Sequence, residues 1–280
     1  MLNNVINVFC KLDYTIINPT SFVFNIAPAL TNFQQLHQEA LIITPYTSAE
    51  WLNVGDYGSR LIRFQSQPGT LTVEYCATVQ LMSVLTPAMP LEEIQFSALS
   101  AEILPYLNPS RYCESDRLSS FAFKEFGQLP TGYARVQGIA DWVYHNIDYI
   151  PGSTDALSSA CDVLIQRAGV CRDFAHLSIA FCRAIGIPAR YVAGYAPELQ
   201  PPDFHGFFEA YLGGKWYLFD ATKLAPVSGF VRIGTGRDAA DASFATLVGQ
   251  ATMDSMVVSA VTASGESLID TGIAVSSATQ

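Results

Sequence analysis

Cys171, His205 and Asp220 are the residues whose types and order could carry out covalent chemistry. Cys171 lies in Arg167-Ala168-Gly169-Val170-Cys171-Arg172-Asp173-Phe174-Ala175-His176-Leu177, where a glycine-bearing turn delivers a cysteine to the first turn of an apolar-striped helical segment. The unpaired N–H groups and positive end of a helix favour a thiolate, lowering a cysteine pKa from ~8.5 into the range ~3.5–7.5. A free cysteine is more often a small buried hydrophobe, so the weight falls on its partners. His205, in Phe204-His205-Gly206-Phe207-Phe208-Glu209, would pair with the thiol and later give a proton to a leaving amine. Asp220, in Trp216-Tyr217-Leu218-Phe219-Asp220-Ala221-Thr222, would hold the other ring nitrogen and fix the tautomer. A carboxylate between Phe219 and Ala221 at the end of an apolar strand is costly unless paired, so a partner is expected.

Such a thiolate attacks an amide or ester carbonyl and forms a thioester. The backbone N–H of Cys171 is the natural first donor to the developing oxyanion. Tyr149, Ser153 and Thr154 remain open as the second donor. Asp173, in the first helical turn, is expected to be structural, with Arg172 or Arg190 neutralising it so that it does not oppose thiolate formation. His176 follows Cys171 by five residues and is displaced about 140° around the helix, which removes it as the base. Glu209 shares a strand face with His205, as a substrate contact or a solvated residue. Cys161 and Cys182 fall in helical stripes and are assigned to packing. The four histidines have no metal-ligand spacing, and no calcium loop or phosphate-binding loop is present. No metal and no cofactor is expected.

The surrounding chain must fold to position these groups. It has 280 residues, 50% hydrophobic and 14% charged, with a formal net charge of −10. That is a folded composition with room for two domains. The acidic balance argues against nucleic acid and anionic membrane surfaces as partners. No run of about 18 apolar residues is present, and residues 1–11 lack the basic-then-apolar order of a secretory signal, so a cytoplasmic location is expected. The six cysteines show no C-x-x-C pair, which suits reduced thiols.

From residue 12 to about 82 the texture is β, with runs at 14–17, 22–26, 41–44, 60–65 and 71–82 separated by turn residues. Leu71, Val73, Tyr75, Ala77, Val79 and Leu81 alternate, as in a strand with one buried face. Residues 86–102 connect this part to a helical one, with helices expected over 116–126, 133–147 and 155–168 and after Cys171. Trp142 and Tyr144 read as core. Gly186-Ile187-Pro188 ends the nucleophile helix. Strands are expected at 189–195, 206–212, 215–220 and 255–261, with a hairpin at Gly213-Gly214 and a mobile tail over the last ten or so residues.

Four segments together resemble the transglutaminase-like family of papain-type cysteine enzymes, in its bacterial branch with an N-terminal β domain. They are 169–177, Ala189-Arg190-Tyr191-Val192-Ala193-Gly194-Tyr195, 205–209 and 216–222; 106–110 and 236–241 are similar to flanking segments. The family usually places Ala-Trp after the histidine and Pro after the aspartate, where this chain has Gly206-Phe207 and Ala221. The resemblance implies an α+β fold, a papain-like transglutaminase core with the nucleophile helix packed on an antiparallel sheet, preceded by a small β-sandwich domain. The expected division is 1–95 for the β-sandwich, 105–265 for the catalytic domain and 266–280 for a tail. The implied activity is a cysteine hydrolase, a peptidase or amidase acting on a peptide or protein amide through Cys171, His205 and Asp220. Hydrolysis is preferred because water is always present; acyl transfer to an amine and a non-catalytic peptide-binding scaffold are the alternatives.

Overall fold

The computed structural model describes residues 4–55, 57–89, 91–268 and 273–277. The N-terminal part holds strands β1 (Asn4–Phe24), β2 (Gln34–Thr44), β3 (Glu50–Val54), β4 (Ser59–Ser66), β5 (Gly69–Leu81) and β6 (Val84–Thr86). The core follows with helices and strands α1 (Ser115–Phe126), α2 (Tyr133–Asn146), β7 (Asp148–Tyr149), α3 (Ala160–Gln166), β8 (Ala168–Gly169) and α4 (Cys171–Ala184). The remaining strands are β9 (Ala189–Tyr195), β10 (Phe204–Leu212), β11 (Lys215–Phe219), β12 (Val231–Gly236), β13 (Ala245–Thr262) and β14 (Ala274–Ser276).

Strands β2, β5, β1, β4 and β3 pair in that order, and β13 pairs β1 on its other side, all antiparallel. The expected alternation in β5 is present: Leu71, Val73, Tyr75, Val79 and Leu81 are at most 1% exposed. By hydrogen bonds this is one sheet, but it folds over on itself. Eight residues of straight strand span ~26 Å, yet the rings of Tyr14 and Phe22, both in β1, lie 5.3 Å apart. Register shifts at Asp13/Tyr14, Ile16/Asn18 and Asn18/Ser21 bend β1 and β13 together. Such bulges kink a strand and raise its twist. The two halves then close over a common core of Tyr14, Phe22, Phe24 and Phe64.

In the core, α4 is the central element, buried from Asp173 to Arg183. Helices α1, α2 and α3 cover one side of it, and the antiparallel sheet β11-β10-β9-β12 covers the other. Trp142 packs edge-on against Phe121, Phe126 and Phe181, as expected of a core residue. Tyr144 differs: it is 43% exposed and carries the Lys223 ammonium over its ring.

Three sequence expectations change. The helix expected over 155–168 begins only at Ala160, because the Asp155 carboxylate accepts the N–H groups of Leu157 and Ser158 in a turn. Ser159 then caps the helix in a capping box with Asp162. Residues 245–262, assigned from sequence to the catalytic part, form a strand of the N-terminal sheet. Residues 274–276 are no tail but a buried strand paired with β6, with Val275 packed against Val192, Phe207 and Leu218. Residues 269–272 and 278–280 of the expected tail lie outside the described residues. The chain therefore passes from the first domain to the core, back through β13, and out again to β14.

Candidate active site

The nucleophile helix is fixed at both ends before any chemistry is considered. At its start, Asp173 is fully buried and its carboxylate accepts the Val170 N–H (2.9 Å), the Thr154 hydroxyl (2.5 Å) and the Arg172 guanidinium (2.8 and 3.0 Å). Asp173 thus ties down the turn that presents Cys171, and its charge is met by Arg172. Gly169 permits this approach, since a Cβ there would lie 2.8 Å from Asp173 Cβ. At the other end, Arg183 donates to the carbonyls of Ala189, Asn108 and Arg237 and to the Ser110 hydroxyl. Asp238 accepts the N–H groups of Tyr112 and Ala240 in the same region. The segments 106–110 and 236–241 are therefore a clamp on α4, and Arg183, which the sequence reading passed over, is its centre.

The structure brings Cys171, His205 and Asp220 together. Cys171 is partly exposed at the first position of α4, and its thiol lies 4.0 Å from the Phe204 carbonyl. His205, next along β10, hydrogen-bonds through Nε2 to Asp220 Oδ2 at 2.9 Å. Its other ring nitrogen, Nδ1, is buried with no hydrogen-bond partner, and the Cys171 thiol is the second group that acts on the ring. Asp220 Oδ1 accepts both the N–H (2.9 Å) and the hydroxyl (2.7 Å) of Thr222. That geometry satisfies a buried carboxylate on both oxygens, as the sequence demanded.

The electrostatics follow from this placement. Burial works to lower the His205 pKa, but the charge and hydrogen bond of Asp220, with a smaller contribution from Cys171, raise it to about 10. Burial works to raise Asp220, and the His205 charge and hydrogen bond, with Thr222, bring it below its usual value. The two shifts agree on an imidazolium–carboxylate pair at neutral pH, with the imidazolium beside a thiol. Burial pushes the thiols of Cys10 and Cys161 up to about 11 and of Cys113 to about 12, and raises Cys182 as well.

Of the three candidates for a second oxyanion donor, Tyr149 is the one against the thiol. Its hydroxyl adjoins Cys171: burial and the Cys171 side chain raise its pKa, and the Cys171 backbone works the other way. The pairing of Tyr149 with Gly169 across β7 and β8 holds it there. Thr154 is committed to Asp173. Ser153 Oγ is buried without a partner.

Other residues are placed elsewhere. Glu209 is neither a substrate contact nor solvated: it is fully buried between Arg190 (2.7 Å) and Arg232. Arg190, one of two suggested partners of Asp173, is therefore engaged with Glu209, and its guanidinium stacks on Trp216 at 4.0 Å and on Tyr57 at 4.5 Å. His176 is buried on α4, accepts the Ala239 N–H at Nε2 (3.0 Å) and stacks on Tyr112. Cys161 and Cys182 are core residues. Gly206 has a local cause, since a Cβ there would lie 2.5 Å from the Tyr191 hydroxyl. Phe207 packs on Phe230 with centroids 4.2 Å apart. Among the described residues, no group of three or more His, Cys, Asp or Glu is placed to hold a metal ion, and no helix is long and apolar enough to cross a membrane.

Comparison with known proteins agrees with this architecture. Residues 120–221 match the core of the transglutaminase-like superfamily, and residues 5–96 match the bacterial transglutaminase N-terminal domain. A Cytophaga hutchinsonii protein, named in its crystal structure as a proposed cysteine protease, is 42% identical and superposes over 99% of this chain and 98% of its own with a TM-score of 0.93. An uncharacterized protein of Mycobacterium leprae is 32% identical over 158 residues, 53% of this chain and 56% of that one. One from Mycobacterium tuberculosis is 34% identical over 105 residues, 38% of this chain and 33% of that one. The chain thus spans about half, or a third, of the length of the curated relatives it matches. With a transglutaminase-like core behind a matching N-terminal β domain, and near-complete overlap with the Cytophaga protein, the chain belongs to the transglutaminase-like superfamily, in its bacterial branch.

Proposed function

We propose that the protein is a cysteine hydrolase that cleaves an amide bond of a peptide or protein through a thioester on Cys171. The observation that carries this reading is His205, buried between Asp220 at Nε2 and the Cys171 thiol, with Nδ1 otherwise unpartnered. In the resting state the imidazolium beside the thiol favours the thiolate. The thiolate attacks the amide carbonyl, and the carbonyl oxygen takes the negative charge between the Cys171 N–H and the Tyr149 hydroxyl. Collapse breaks the C–N bond, His205 gives its proton to the departing amine, and the acyl group stays on sulfur. Water, deprotonated by the now neutral His205, then attacks the thioester, the C–S bond breaks to release the acid, and the thiolate and the charged ring are restored. Asp220 keeps Nε2 protonated throughout, so that Nδ1 is the nitrogen that exchanges protons with sulfur and substrate.

The cytoplasm is the proposed location, supported by six cysteines that are all free thiols. The test measures how the acyl-enzyme divides between acceptors. The protein is supplied with peptide p-nitroanilides in water enriched in oxygen-18, with and without an added primary amine. Hydrolysis predicts labelled acid as the main product at millimolar amine. Predominant amide product would replace the proposal by acyl transfer, and no release from any donor would favour a binding scaffold.

A further inference from the structure

Against the loop that leads into β10 lies a cleft of 310 Å³, of the size of a small ligand pocket (~300–1,000 Å³). One wall is the loop 196–203, which runs directly into Phe204 and His205; the other is residues 259–262 of β13 with the turn 265–267. Glu198, Asp203 and Glu266 line it, and among the described residues no Lys, Arg or His does. Among the described residues none of these three carboxylates is ion-paired, and Glu198 accepts the Leu268 N–H. Asp203 is nearest the chemistry. Its Oδ1 accepts the N–H of Phe204 at 2.7 Å, the residue whose carbonyl touches the Cys171 thiol, and its charge is felt by both His205 and Tyr149.

The opposite wall offers main-chain groups. Ala263 donates its N–H to the Val5 carbonyl at 2.8 Å, which sets the phase of the β1–β13 ladder. Ser259 and Val261, opposite Phe9 and Asn7, therefore exchange hydrogen bonds with β1, and Val258 and Ala260 turn their N–H and C=O groups outward, as does the N–H of Thr262, whose carbonyl accepts the Gly265 N–H at 3.1 Å. Among the described residues no strand pairs with that edge. A free edge of this kind is a template for an added strand.

We infer that this cleft holds the substrate chain: an extended, lysine- or arginine-bearing peptide segment lies as an added strand along the edge of β13, its cation facing Asp203, Glu198 and Glu266, and leads its scissile carbonyl to Cys171. This rests on the reading of Cys171 as the nucleophile. It also gives the N-terminal domain a task, since β13 belongs to its sheet.

The test uses iodoacetamide and three iodoacetyl-capped hexapeptides, rich in lysine, glutamine or glutamate, with Cys171 alkylation followed by peptide mass spectrometry. The lysine peptide is expected to react about tenfold faster than the glutamate peptide. Asp203→Asn should cut that ratio at least threefold. Asp254→Asn, a carboxylate held by Thr15 outside the cleft, should leave it unchanged and so corrects for the net charge. Ala260→Pro removes an outward N–H that β1 does not use, and should slow all three peptides and not iodoacetamide. If that variant does not fold, Asp203→Asn still decides. Rapid reaction with iodoacetamide but equal rates for lysine and glutamate peptides, or a ratio unmoved by Asp203→Asn, overturns the inference alone. Slow reaction of wild-type Cys171 with iodoacetamide overturns the nucleophile reading and this inference with it.

Discussion

Replacing Asp220 by Asn should disable the thiol without unfolding the protein. Asp220 Oδ1 accepts two hydrogen bonds, from the Thr222 N–H and hydroxyl. An asparagine must keep its carbonyl oxygen there, so its NH2 group turns toward His205 Nε2. That nitrogen then has to accept, and the ring proton moves to Nδ1, where it faces the thiol and cannot take the thiol's proton. The charge effect runs in the same direction. Asp220 holds His205 at about 10 against burial, which from the usual ~6.5 corresponds to roughly 5 kcal/mol of preference for the imidazolium. Without that charge burial wins, and His205 is neutral at pH 7. The rate of Cys171 alkylation by iodoacetamide at pH 7 is expected to fall by about 100-fold or more. Stability carries a matching signature. The raised His205 contributes fully below ~6.5 and loses its contribution as pH rises through about 10. The lowered Asp220 contributes above ~3.9 and loses its contribution as pH falls through its folded value. The stability gap between wild type and Asp220→Asn, from urea unfolding, should thus be widest between about pH 4 and 6.5 and should close toward pH 10. Alkylation within threefold of wild type at pH 7, with an unchanged pH profile, would refute the reasoning.

Tyr149→Phe removes one of the two oxyanion donors but not the charged pair; ester or amide turnover should fall about 10- to 100-fold while the iodoacetamide rate changes less than threefold. Glu209→Gln leaves Arg190 and Arg232 buried without their shared counter-charge, and urea unfolding should show a loss of about 3–5 kcal/mol. Gly206→Ala places a methyl group against the Tyr191 hydroxyl; thermal unfolding should record a cost of about 1–3 kcal/mol, and Tyr191→Phe in the same chain should restore most of it. A double variant no more stable than Gly206→Ala would remove Tyr191 as the cause.

The nucleophile helix was legible because three signals coincide at one place: the turn before Cys171, the helical stripe after it, and the glycine and proline that end it. The buried face of β5 was legible from simple alternation. What the sequence hid depends on contacts between distant segments. In residues 245–254 the large apolar residues are Leu247, Val248 and Met253, two of them adjacent, and the stretch is largely exposed, so it lacks the apolar alternation that marks a strand; pairing with β1 alone makes it one. The sequence placed Glu209 on the same strand face as His205, but only the fold shows Arg190 and Arg232 closing over it. Asp155 and Ser159 both favour turns and helix caps, and the choice of Ser159 as the cap depends on Asp162 three residues on. Tyr149 was one of three open candidates until the β7–β8 pairing fixed its position.

The most direct test of the central claim is to look for the covalent intermediate. The protein is mixed with p-nitrophenyl acetate at pH 7, quenched in acid within seconds, digested and mapped by mass spectrometry, alongside Cys171→Ser and His205→Ala. The account predicts an acetyl group on Cys171, formed in a burst ahead of steady release, with the burst lost in both variants. Acetylation spread over the six cysteines in proportion to their exposure, or a Cys171 burst undiminished by His205→Ala, would contradict it.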